Sequence, residues 1–213
     1  MRILLVSDLH YTLPQLDWVV RAAPGFDLVV LAGDSLDISS IVPLEAQSVV
    51  ILRDLSLLKA ATSVVIASGN HDLTGPDARG EQCALWLGAA RAAGVPTDGD
   101  SWSAGDTLVT VCPWWDGPLT AQVVDRQLAE DAELVVWIEQ HQPAIVMCGH
   151  VHPSPFMPDG SWIDRIGSTM VLNAGKQPGP VPTHIEIDTD ARVARWLSYE
   201  GVDEQTFAGA ASA

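Results

Sequence analysis

Basic side chains are scarce in this 213-residue chain: 11 Lys and Arg stand against 27 Asp and Glu, for a formal charge of −16. They form no cluster. Affinity for extended nucleic acid rests mainly on neutralised phosphates, so that class of partner is disfavoured, although a short nucleotide held through metal ions is not. Cysteine is rarer still, with only Cys83, Cys112 and Cys148, all in apolar surroundings. An odd set of three predicts reduced core thiols in a cytoplasmic protein rather than a disulfide framework. No apolar run reaches the length of a membrane span, and Met1-Arg2 leads straight into a predicted strand, leaving no room for a signal peptide. The expectation is therefore a cytoplasmic chain without membrane attachment. Repeats are lacking, as is any linker long enough to separate domains, and the length suits one domain with a sizeable core.

What the chain does have is a recurring pattern. Ser63–Ala67 is a short apolar run that stops at Gly69-Asn70-His71-Asp72. Ile3–Val6 likewise runs into Asp8-Leu9-His10, Leu28–Ala32 into Gly33-Asp34, and Ile145–Cys148 into Gly149-His150-Val151-His152. Such runs read as buried strands. In open α/β sheets, ligands gather outside the carboxyl ends of the strands. Four ends carrying Asp, His and Asn predict one metal site. His71 beside Asp72 suggests an oriented imidazole, as a general acid requires.

Between these runs the periodicity predicts helices over 14–23, 43–61, 81–93 and 127–140. Turn signals predict short strands over 95–97, 101–104 and 107–112, and hairpins pairing 162–165 with 169–172 and 183–188 with 193–198. Asp37 reads as a cap, and His184 as a structural residue inside a strand. Trp114 and Trp115 sit in a loop framed by Pro and Gly and are candidate walls of a substrate cleft. Asn173, closing a strand near the same edge, is a third candidate substrate contact. The folded domain is expected over 1–198, with 199–213 a flexible tail.

The order Asp8-x-His10, Gly33-Asp34, Gly69-Asn70-His71-Asp72, Gly149-His150-x-His152 resembles the calcineurin-like metallophosphoesterase superfamily. That resemblance implies a four-layer α/β/β/α sandwich with a two-metal centre between its sheets. It further implies that Asp8, His10, Asp34 and His152 hold one ion, that Asp34, Asn70 and His150 hold a second, and that His71 protonates the leaving oxygen. A single carboxylate such as Asp34 can bridge two ions, and water between them becomes a nucleophile toward phosphorus. Mixed N/O ligation without thiolate favours Mn²⁺, Fe or Zn²⁺. The implied substrate is a small phosphate ester, which the ions attract despite the negative chain.

One family motif is missing: a strand ending in a His, between the Asn-His-Asp and Gly-His-x-His motifs, that completes the second ion's shell. The sole His in that interval is His141, which reads as the end of a helix. Either the strand and its His are absent, leaving the second sheet one strand short and the second ion weakly held, or Cys112 substitutes as a thiolate. The short sheet would expose an edge, so a homo-oligomer is a corollary. Two function classes follow: a metal-dependent phosphoesterase, or an impaired relative serving as a binding module.

Overall fold

Leu28–Ala32 and Ser63–Ala67 have no polar side chain between their ends, which suits strands covered on both faces. In the computed structural model, which describes residues 1–114, 132–158 and 160–207, they are β2 and β3. Both run parallel to β1 (Arg2–Val6). Three antiparallel strands extend the sheet on the far side of β1: β11 (His184–Asp188), β12 (Val193–Ser198) and β13 (Gly201–Thr206). The order is β13-β12-β11-β1-β2-β3.

Alternation along each strand sends its side chains to two cores. Leu4, Val6, Val29, Leu31, Val64 and Ile66 face helices α1 (Leu13–Ala22), α2 (Leu44–Ala61) and α3 (Leu87–Ala92). Ile3, Leu5, Leu28, Val30 and Val65 face the other way, onto Met170, Leu172 and Trp162. Met170 and Leu172 belong to a second sheet of order β8-β10-β9, built from β8 (Ile145–Cys148), β9 (Ile163–Ile166) and β10 (Thr169–Asn173). Helix α4 (Ala132–His141) supplies the outer layer, with Ile138 fully buried. The chain is a mixed α/β sandwich, and among the described residues its second sheet has three strands. Among those residues no helix is long and apolar enough to cross a membrane.

Three local expectations differ from the structure. Residues Gly201–Thr206, expected in the flexible tail, form β13. Every residue of that strand is exposed, so it carries no apolar alternation to read; it is held by register with β12 and by an Arg195 to Glu204 ion pair of 2.6 Å. The helix expected over 81–93 shrinks to α3, because buried Trp86 donates its indole N–H to the Asp72 carbonyl (3.2 Å) and anchors the preceding segment. Residues 95–97 are not a strand, and β6 (Ser101–Ala104) with β7 (Thr107–Thr110) forms a separate hairpin.

Candidate metal centre

The ends of β1, β2, β3 and β8 are tied together by hydrogen bonds between their exit loops. Asp8 N donates to Gly33 O (3.2 Å), His10 N to Asp34 O (2.8 Å) and Tyr11 N to Ser35 O (3.0 Å), which joins the first loop to the second. His71 N donates to Asp34 Oδ1 (2.7 Å), and His150 N to Asp8 Oδ1 (2.8 Å), bringing in the third and fourth. Loops this close need glycine at two places. A Cβ on Gly69 would fall on the Asp34 carboxylate, and one on Gly149 would lie 2.6 Å from both Asp8 Oδ2 and Ser7 Cβ. Asp8, His10, Asp34 and His150 all have positive φ, at 55°, 44°, 51° and 76°. Each such residue costs about 1–3 kcal/mol, a strain that persists where surrounding structure over-determines it.

Four side chains on these loops converge. Ligand atoms of Asp8, His10, Asp34 and His152 all lie within 4.8 Å of one another. His10 Nε2 stands 3.0 Å from His152 Nε2, His152 Nε2 stands 3.2 Å from Asp8 Oδ1, and His10 Nε2 stands 3.7 Å from Asp34 Oδ2. Asp8 Oδ2 is buried without a hydrogen-bond partner. A buried acceptor left unpaired is costly, and a cation at this point would satisfy it. Burial, then repulsion from Lys176, His71 and His152, pushes His10 down to about 4, which keeps the ring neutral and its lone pair available. Asp34 is raised, chiefly by burial and further by the like charge of Asp8, a penalty that a bound cation removes. The donor set fits a divalent ion.

Asn70 and His150 meet beside this cluster, with Asn70 Oδ1 3.0 Å from His150 Nδ1. The Trp114 ring lies 4.8 Å from the His150 ring, and Trp114 N donates to Ser68 Oγ (2.8 Å). Trp115 lies outside the described residues. His71 packs edge-on against His10 at 4.3 Å, and its Nδ1 is 3.2 Å from Asp37 Oδ1.

A family model, the calcineurin-like phosphoesterase superfamily domain, matches residues 1–191. The chain belongs to this superfamily. Similar solved structures include a conserved uncharacterised protein, a predicted phosphoesterase, from Streptococcus pneumoniae (18% identity, TM-score 0.50, covering 96% of this chain and 97% of that one). Another is Yfce, a phosphoesterase from E. coli (14%, TM-score 0.53, 98% and 100%). A third is a purple acid phosphatase from yellow lupin seeds (11%, TM-score 0.52, covering 97% of this chain and 51% of that one). At such identities these likenesses concern the fold. No curated protein matches the chain.

As in a metal-dependent phosphoesterase, candidate ligands stand together here, but several expected residues stand elsewhere. Asp72 does not orient His71. Its fully buried carboxylate accepts N–H groups from Leu36 (2.9 Å), Gly69 (2.8 Å) and Ser35 (3.3 Å), and burial against those donors pushes it up to about 7. Asp72 thus binds the second loop to the third, and the partner of the imidazole is Asp37. Asn173 is not turned to a substrate either. Its Nδ2 donates to Val151 O (3.0 Å) and its Oδ1 accepts Gly175 N (3.0 Å), so both ends brace backbone. Cys112 is exposed and joins no group of donors among the described residues, which leaves the thiolate substitute without support. His141 is exposed at the end of α4 against Trp137, and His184 is buried with Nδ1 2.9 Å from Pro182 O.

Proposed function

We propose that this phosphoesterase-family chain hydrolyses a small phosphate ester, diester or monoester, with two divalent ions of the Mn²⁺, Fe or Zn²⁺ type. The reading rests on the convergence of Asp8, His10, Asp34 and His152, where Asp8 Oδ2 is buried without a hydrogen-bond partner. These four would hold the first ion, and Asp34, Asn70 and His150 the second. Bound ions supply Lewis acidity toward phosphoryl oxygens and activate a water molecule. His71 supplies the proton for the leaving oxygen. Its Nδ1 stands 3.2 Å from Asp37 Oδ1, which fixes the ring and leaves Nε2 to donate. The Trp114 ring packs against the His150 ring, 4.8 Å away, and forms one wall of the opening.

The second ion is the weaker. Among the described residues no group of three His, Cys, Asp or Glu donors includes His150. That observation favours one rival reading, a chain that keeps the fold and one ion but serves as a binding module. Mn²⁺ titration, with metal content and turnover of para-nitrophenyl phosphate and its bis ester followed together, separates the two. We expect a first ion to bind tightly without turnover, and activity to appear only as the second fills. Full activity at one ion per chain would refute the two-ion reading, and no turnover at saturating metal would favour the binding module.

A further inference from the structure

Lys176 is one of only two lysines in a chain of formal charge −16, and it sits against the candidate centre. Its backbone is held there from several sides. Lys176 N donates to the carbonyl of His152 (3.2 Å), and Thr183 Oγ1 donates to Gly175 O (2.7 Å). A Cβ on Gly175, where φ is 70°, would lie 2.7 Å from Pro155 and 3.0 Å from His152 O, so the turn is pressed onto the loop that carries His152. Asn173, bonded to Val151 O and Gly175 N, pins the same turn from below.

The Lys176 side chain is half-buried, and its ammonium makes no ion pair or hydrogen bond among the described residues. It lies within electrostatic reach of Asp8, Asp37 and Asp34, and of the His10 ring. Several other cations are paired with carboxylates: Arg79 with Asp77 and Glu81, Arg91 with Asp100, Arg195 with Glu204. An ammonium that is held near three carboxylates, yet paired with none, keeps its donors for an anion that enters between them. Burial draws its pKa below the usual lysine value while the three carboxylates oppose that shift.

We propose that Lys176 is a substrate-binding cation that takes a non-bridging phosphoryl oxygen and biases the site toward phosphomonoester dianions over phosphodiester monoanions. The proposal rests on the phosphoesterase reading and narrows its substrate class. An ammonium is a point charge suited to phosphate, and its attraction for a dianion is about twice that for a monoanion at equal distance. A monoester also leaves three non-bridging oxygens for the ions and Lys176 to share, where a diester leaves two.

The test uses the full metal-loaded chain with Lys176→Met and Lys176→Arg. Calorimetry reads the affinity for inorganic phosphate, and kinetics read kcat and KM for para-nitrophenyl phosphate and its bis ester. We expect Lys176→Met to weaken phosphate binding and lower kcat/KM on the monoester about 10- to 100-fold, the range for losing one charged hydrogen-bond partner. The loss should fall mainly in KM and be severalfold smaller on the diester. Lys176→Arg should restore most of the phosphate affinity, with metal content unchanged in both variants. Equal losses on the two esters, unchanged phosphate affinity, or loss of bound metal would each overturn the proposal. If the unaltered chain turned over neither ester, the phosphoesterase reading would fail. The phosphate titration would then still decide the role of Lys176, an unchanged affinity in Lys176→Met refuting it and a weakened one supporting it.

Discussion

Asp37 Oδ1 accepts the amide of Ser39 at 2.9 Å while standing 3.2 Å from Nδ1 of His71, so one carboxylate shapes its own turn and aims an imidazole. The first use is legible locally, as the Asx turn that makes Asp37 read as a cap. The second is a contact between two different loops, which no spacing rule reveals, and adjacency in sequence points instead to Asp72. Substitution distinguishes the two carboxylates. His71→Ala should lower turnover about 10²–10⁴-fold while metal content and melting temperature hold, as removal of a general acid predicts. Asp72→Ala should act on stability instead, because it strands the buried N–H groups of Leu36, Gly69 and Ser35 at about 1–3 kcal/mol apiece. Thermal melts beside turnover assays check both. A His71→Ala chain that lost its metal would make His71 a ligand, and an Asp72→Ala chain of unchanged stability would remove the bracing role.

At the scale of elements, the four strands that deliver the site were legible because each is apolar through its middle and stops at a polar residue. β13 was not legible, since an edge strand exposed on every residue shows no period. The long helix α2 contributes to the site in a way its apolar face does not advertise. Gln47, fully buried, accepts Asp37 N (2.8 Å) and donates to Asp37 O (3.0 Å) and Val42 O (2.7 Å), so the helix grips the loop that aims His71. Gly149 makes the corresponding contact at the end of β8. Gly149→Ala would press a methyl group onto Asp8 Oδ2 and Ser7 Cβ. We expect it to weaken the first ion about 10–100-fold, the usual cost of disturbing a ligand's support. Metal titration of the variant measures this, and unchanged affinity would mean that the loop relaxes without moving Asp8.

At the scale of the whole molecule, His184 lies in β11 with its ring 4.5 Å from Trp18 of α1, joining the main sheet to its helical layer. Burial lowers its pKa below the usual value, opposed by its bond to Pro182 and by Glu186. The unfolded chain therefore binds this proton more readily than the folded one. The stability contributed by neutral His184 is complete above about 6.5 and declines as pH falls below it. The gap in urea midpoint between the metal-free native chain and His184→Gln should narrow from pH 7.5 to pH 5, and a constant gap would show that His184 takes up its proton equally in the folded and unfolded states. The same sheet constrains how the chain comes to be assembled during synthesis. Ile3 of β1 pairs with Leu28 on one side and with Ile187 on the other. A growing polypeptide can close the first pairing early, but at roughly 5–20 residues per second the second waits many seconds for its partner to leave the ribosome. His10 meets His152 only after a further 142 residues have been synthesised. The first ion cannot be held by all four residues until the segment carrying His152 has been made, so full metal capture waits on that segment.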